Sequence, residues 1–385
     1  MELLVASKYL QAAITAGQDK TGQEYLLIVV KGCWSIVPDG AAGQAIARLA
    51  PADKPAQADT FAGAPGLSAP IYESDFALFK PRCDVLFHAQ AYAPNGQPAT
   101  EIGAGFRLDA LEKLIHVTGP SRWYWQDGAW QHTLPQAFQS LPLRYDYAFG
   151  GAWHRAESNE ANYFLQNPVG LGFCHPDAQG VMPDAPGAHG ASRPCLRPWG
   201  SPAVNEPYQE QTAIALSPVA RHWQPRQRYA GTYDETWQTE VFPFLPQDFD
   251  DRFAQAAPAD QQIDYPKGGE QVSFFNLHPD MPQLHFRLPR FDRLPMRVLL
   301  KSYQVKEVEP VVDTLFFEPD KMRFSAVWRS RLAVDSLHQI RSVVIGKVCK
   351  NWWEAKSIGA ENCTQCKEAR KTNAAAPQAT EDCPE

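Results

Sequence analysis

From residue 24 onward the apolar positions follow a strand period rather than a helical one. The run "EYLLIVVKGCWSIVPDG" is rich in β-formers and closes in a turn. "LHFRL" places Leu284, Phe286 and Leu288 on one face and His285 and Arg287 on the other, and "MRFSAVW" aligns Met322, Phe324, Ala326 and Trp328. Both predict half-buried strands. Asn95-Gly96 in "CDVLFHAQAYAPNGQP" and Asp127-Gly128 in "WYWQDGAW" are dipeptides that favour tight hairpins, so each predicts antiparallel neighbours. No internal repeat or heptad interrupts the pattern. The expected fold is mainly β: antiparallel sheets packed as sandwich or barrel-like layers, with long Pro/Gly-rich loops and a few short helices.

Two stretches lose the strand period. Residues 38–70 and 166–207 are dominated by Ala, Pro and Gly and predict loop excursions from a domain spanning residues 1–355. Residues 356–385 form a polar, cysteine-containing tail with too little apolar content to pack, and are expected to be disordered. Prolines number 33 in 385 residues, about 9% against a usual 5% or so, which favours ordered loops over long helices. Otherwise the composition, 44% hydrophobic and 21% charged, is that of an ordinary globular protein.

A net charge of -7 without a basic cluster argues against a phosphate-backbone partner, so no nucleic acid is expected. "MELLVASKYLQAA" lacks the positive start and sustained apolar core of a signal peptide, and "YLLIVV" is too short to span a bilayer. The expectation is a soluble cytoplasmic protein with no membrane partner. Eight cysteines spread over such a chain make no dense disulfide framework, and in the cytoplasm most should be reduced.

Candidate chemistry concentrates in "HWQPRQRYAGTYDETWQTEVFPFLPQDFDDRF", residues 222–253, which crowds carboxylates, arginines and aromatic rings together. Paired carboxylates beside rings suit a carbohydrate-acting hydrolase, with Asp234 and either Asp248 or Asp250 as the pair. The same residues suit helix starts. Thr232 and Glu235 have the spacing of a capping box, with Asp234 in the first turn. Asp248 can cap "FDDRFAQAA", with Asp250, Asp251 and Arg252 at its start, Phe249 and Phe253 one turn apart on its buried face, and Pro258 beyond its end. Pro243 and Pro246 hold the connection extended. Caps are commoner than catalytic dyads, so the structural assignment is preferred and no catalytic residue is assigned.

Trp223, Tyr233 and Trp237 could line a sugar site, although large rings in a β protein are more often core. Arg226 and Arg228 should fork onto nearby carboxylates or carbonyls. The signatures G-x-S-x-G, H-E-x-x-H, the P-loop and the EF-hand loop are missing. "NPVGLGF" holds Gly170 and Gly172 but lacks the third glycine of a dinucleotide fingerprint; it reads as a loop needing positive φ. His154, His175 and His189 lie in loops at spacings that no common zinc site uses. Cys349, Cys363, Cys366 and Cys383 include only one compact pair, "CTQC", where a zinc ribbon needs two. Neither a metal nor a cofactor is expected.

Several stretches occur together and in order: "VVKGCWSIVPDG", "SDFALFKPRCDVLFHAQAYAPNGQP", "PLRYDYAFGG", "NPVGLGF", "HWQPRQRYAGTYDETW", "FPFLPQDFDDRF", "APADQQIDY", "KGGEQVSFFNLHP" and "VDTLFFEPDKMRFSAVWRS". From Val29 to Ser330 the chain thereby resembles the type VI secretion effector adaptor and chaperone family, domain of unknown function 2169. The resemblance implies a non-enzymatic adaptor that binds a cognate toxin, PAAR-bearing or PAAR-associated, and couples it to the PAAR tip or to a spike protein of the valine-glycine-repeat type. That family has no assigned catalytic residue to carry over. The chain departs from it after "NPVGLGF", where "HPDAQGVMPDAPGAHGASRPCLRPW" replaces a shorter run. Loops on a rigid β scaffold are where binding residues concentrate, so the cargo-facing side is expected along residues 167–207 and around Trp223. Its candidate contacts are Trp199, Tyr208, Trp223, Arg226, Arg228, Tyr233 and Trp237.

Overall fold

The computed structural model describes residues 1–154, 161–174, 192–292 and 294–357. Its longest strand, Glu24–Pro38, is the run of β-formers that opens the β pattern. That strand pairs with Leu10–Gln18 on one side and Arg323–Ala333 on the other, and Ala45–Ala50 adds to its C-terminal half. The sheet continues through Val311–Glu318 and Cys83–Phe87 to the short strand Gln262–Ile263. Its pairings are antiparallel except that of Cys83–Phe87 with Val311–Glu318. A second sheet runs Leu196–Pro198, Leu111–Thr118, Glu101–Leu108, Gln271–Phe275, Gln283–Arg287. A third runs Glu2–Val5, Ile340–Ile345, Met296–Leu300, Val305–Val308.

The first two sheets face each other across a layer of rings. Phe87 of the central sheet lies 4.5 Å from Phe106 and 5.9 Å from Phe274, and Phe324 lies 5.7 Å from Phe286. Strand alternation produces this layer, because Leu26, Ile28, Val30 and Trp34 share one face and belong to the same core. The architecture is a sandwich; among the described residues no sheet closes into a barrel. Leu284, Phe286, Leu288, Phe324, Ala326 and Trp328 are all buried, as their alternation predicts. Met322 instead sits in the turn before its strand, in a left-handed conformation.

The opposite face of the central sheet is also covered. Leu27, Val29 and Val327 pack against Phe76, while Leu86 and Phe316 pack against Tyr72, Ala256 and Ala257. A strap, residues 53–82, therefore crosses the outer face. The predicted excursion at 38–70 is thus only partly loop, since Ala45–Ala50 returns as a strand and Thr60–Phe61 pairs with Pro70–Tyr72. Asp127-Gly128 makes the predicted hairpin between Trp123–Gln126 and Ala129–His132. Asn95-Gly96 makes a turn but no hairpin, because the preceding strand Gln90–Tyr92 pairs with Ser140–Pro142 instead.

Two sequence motifs lock together beside this sandwich. Asn167, fully buried, donates from Nδ2 to the carbonyls of Tyr145 (2.9 Å) and Phe149 (3.0 Å), and its own carbonyl accepts from Gly151 N at 2.8 Å. Phe149 and Gly150 pair in parallel with Leu171 and Gly172. Gly150, at φ +149°, has no room for a side chain: a Cβ would lie 2.1 Å from the Asn167 carbonyl oxygen. Gly172, at φ +86°, shows the positive φ expected of its motif.

Helices are short, chiefly Gln224–Gln227 and Lys350–Ser357, and no described helix is long and apolar enough to cross a membrane. The second continues two residues beyond the expected start of the tail at 356. Cys33, Cys83, Cys174 and Cys195 are free and buried, as expected of reduced thiols, whereas Cys349 is disulfide-bonded. That bond removes Cys349 as a free thiolate for the candidate metal set. Cys363, Cys366 and Cys383 lie outside the described residues, as do His175 and His189.

Candidate functional site

Charges hold the strap to the sheet. Lys31 donates to Tyr72 and Asp75, Asp75 Oδ2 accepts from Ala56 N at 2.7 Å, and Arg329 donates to the carbonyls of Asp75 and Ala77 while pairing with Asp313. Lys80 lies 2.8 Å from Asp84 and 3.0 Å from the Thr314 hydroxyl. Asp84 also accepts from Gln255 Nε2 and from the amides of Ala256 and Ala257. Within the strap, Glu73 Oε1 accepts from Arg226 at 2.7 Å and forms an ion pair with Arg221 at 2.6 Å. Burial alone would raise the Glu73 carboxyl; the cations of Arg226, Lys80 and Arg221 together hold it below its ordinary range.

Two clefts flank this network, of about 390 Å³ beside Lys80, Asp313 and Arg329 and about 380 Å³ beside Lys31, Cys33 and Arg323. Each of those cations already faces a carboxylate, and burial raises the Cys33 thiol, which makes it a poor nucleophile near neutrality. Among the described residues no group of three or more His, Cys, Asp or Glu is placed to hold a metal ion.

The carboxylates of residues 222–253 are occupied differently from the expected capping box. Thr232 does not bond to Glu235; its amide and hydroxyl donate to Asp248 at 3.0 and 2.8 Å. These two bonds hold the Asp248 carboxyl below the usual carboxylate range. Asp234 is the local cap, accepting from Trp237 N at 2.8 Å. The cap of the following short helix, Asp251–Ala254, is likewise displaced from Asp248 to Asp250, which accepts from Arg252 N at 2.8 Å and from the Arg252 side chain. That side-chain bond is the main cause of a lowered Asp250 pKa. The expected Phe249–Phe253 contact is present, edge to face at 6.0 Å, with both rings half-buried.

These contacts close residues 229–250 into a loop with a fixed neck. Asp250 N donates to Tyr229 O at 3.1 Å, Arg252 stacks 4.3 Å over the Tyr229 ring, and Gly231, at φ +85°, passes close to Pro246. Lys20 ties the loop to the turn of the Leu10–Pro38 hairpin by donating to the carbonyls of Gln247 and Phe249, and the Phe244 ring rests against Gly22. On this base stands an aromatic cluster. Trp237 is half-buried, its Nε1 donates to Phe244 O at 3.0 Å, and its ring meets Tyr233 at 4.7 Å and Phe242 at 5.6 Å. Tyr233 is 51% exposed and Phe242 66%, with exposed Asp234, Glu235 and Glu240 around them.

The predicted contact residues therefore separate into distinct places. Trp223 is fully buried, edge to face with Tyr145 at 5.4 Å, and Arg226 is buried by Glu73, Val219 and Phe253; neither presents a surface to a partner. Arg228 is exposed and donates to the Tyr229 hydroxyl at the loop neck. Tyr233 and Trp237 share the aromatic cluster. Trp199 is exposed on the second sheet, against Gly103 and 5.9 Å from His116, and Tyr208 is half-buried in the loop that follows. Sequence reasoning missed Phe242 and Phe244; the signal available was a Phe-Pro-Phe step in an acidic stretch, where a buried helix would have excluded proline.

The profile of a family described as an uncharacterized protein conserved in bacteria (DUF2169) matches residues 21–329. Comparisons with curated proteins and with solved structures gave no match.

Proposed function

This chain belongs to the DUF2169 family of bacterial proteins, and from that premise we propose that it is a non-enzymatic adaptor. It binds a type VI secretion toxin in the cytoplasm and couples it to the PAAR tip or to the valine-glycine-repeat spike. The observation that supports docking is the loop 229–250. Its rings are held outward on a base fixed by Asp248, Asp250 and Lys20, so little ordering remains to oppose binding. Aromatic anchors with a charged rim suit a protein partner, and a stable complex of this kind buries at least about 1,000 Å². The carboxylates that a hydrolase would use serve that base, Asp234 through Trp237 N and Asp250 through Arg252.

Co-expression with the toxin encoded beside it tests the reading. The two proteins should co-purify at fixed stoichiometry, the soluble yield of the toxin should rise, and delivery of that toxin alone should require the adaptor. Tyr233→Ala with Phe242→Ala should abolish co-purification while the variant melts like wild type. A toxin that is equally soluble, stable and delivered without this protein overturns the proposal.

A further inference from the structure

The outermost strand of the central sheet, Leu10–Gln18, runs nine residues and pairs without a break from Leu10 opposite Gly32 to Gln18 opposite Glu24. Among the described residues no strand is hydrogen-bonded to its other side. Proteins protect such edges with charge, proline, bulges or shortness, because unpaired amides and carbonyls recruit another strand. The remaining edges of the three large sheets carry these devices. Gln262–Ile263 is two residues long, Leu196–Pro198 contains Arg197 and a proline, and Gln283–Arg287 contains His285 and Arg287. Val305–Val308 contains Lys306 and Glu307, Ala45–Ala50 contains Arg48, and Glu2–Val5 starts on a glutamate. "LQAAITAGQ" has neither charge nor proline, and its pairing shows no bulge.

We propose that this edge is an interface for a second copy of the chain, the strand Leu10–Gln18 pairing antiparallel with itself across a two-fold axis at Ile14. That register sets Ala12 against Ala16, Ala13 against Thr15, Gln11 against Gly17 and Ile14 against its counterpart, so no charges meet within the nine-residue strand. An isologous contact needs a self-complementary patch, and an uncharged strand with small residues on both sides of its centre meets that need. Leu10, Ala12 and Ile14 already pack on the main core. Pairing across the axis would continue that apolar layer from one copy into the next.

Mass measurement on the purified chain, by light scattering after size exclusion and by sedimentation, tests this without any toxin present. The expected mass is twice 42.9 kDa at micromolar concentration, falling toward 42.9 kDa on dilution. Ala13→Lys combined with Thr15→Lys opposes like charges and should give the monomer with an unchanged circular dichroism spectrum. Ala13→Lys combined with Thr15→Glu opposes unlike charges in the same register and should restore the dimer. A wild-type chain that stays at 42.9 kDa at every concentration overturns the proposal. So does a double-lysine variant that remains dimeric, or a charge-swapped variant that remains monomeric. Should the double-lysine variant fail to fold, the wild-type and charge-swapped masses decide.

Discussion

Asp84 is the most heavily used carboxylate of the strap network, and replacing it with asparagine isolates its contribution. The residue is fully buried. Its Oδ2 accepts from Lys80 Nζ and Ala256 N, both at 2.8 Å, and its Oδ1 from Gln255 Nε2 at 2.6 Å and Ala257 N at 3.1 Å. An asparagine keeps one accepting oxygen and turns the other into a donor, so in either orientation two buried donors lose their partner. Bonds to a charged group contribute about 1.5–3 kcal/mol each, which puts the loss near 3–6 kcal/mol. Breaking a buried ion pair by removing one partner gives a similar figure, about 3–5 kcal/mol. Urea unfolding should therefore show a lower midpoint at unchanged slope. Adding Lys80→Met to Asp84→Asn removes the stranded ammonium and should recover part of the loss. An Asp84→Asn protein within about 1 kcal/mol of wild type, or a double variant as unstable as the sum of its parts, would refute the view that these charges pin the strap.

Glu73 gives a pH test. Its folded pKa is lowered from 4.5, so its contribution is complete above that value and is lost as pH falls through the lower folded value; the stability gap between wild type and Glu73→Gln should close on acidification, and a gap constant with pH would contradict the pairing with Arg226. Gly150→Ala should cost roughly 1–3 kcal/mol or more through backbone strain and the clash with Asn167 O, seen as a lower urea midpoint; unchanged unfolding would contradict the motif lock. Thr232→Ala should cost about 0.5–1.5 kcal/mol through lost bonding to Asp248 and should accelerate proteolysis between residues 229 and 250; protection equal to wild type would contradict the fixed neck.

Local periodicity carried the sandwich. Phe324, Ala326 and Trp328 alternate with Ser325, Val327 and Arg329 in the sequence as they do across the sheet, because strand geometry is a two-residue property. What depended on distant partners was not legible. Thr232 is drawn out of its expected capping box by Asp248, sixteen residues away, and Asn95-Gly96 had the right turn chemistry for a hairpin whose first strand pairs elsewhere. Lys31, Asp84 and Asp313 read only as single interruptions of apolar runs. Their meaning comes from Asp75, Lys80 and Arg329, brought near by the fold. The aromatic loop was half legible: its rings and acids were visible, but which rings face water depends on the neck.

The lock between Phe149–Gly151 and Asn167–Gly172 also bears on where the chain can change length. Phe173 N is tied to Gly150 O, Cys195 N to Tyr147 O, and Ser192 bridges to Arg122 beside the position where a Cβ on Gly172 would meet the Ser192 carbonyl at 3.1 Å. Gly172 and Ser192 therefore lie side by side at the edge of this lock. Held together in this way, the two positions form a closed doorway. Lengthening a loop whose ends are already held together costs only about 0.6 kcal/mol per doubling. Extra chain between Gly172 and Ser192 should therefore cost little, which makes the doorway a place to insert a reporter without disturbing the core.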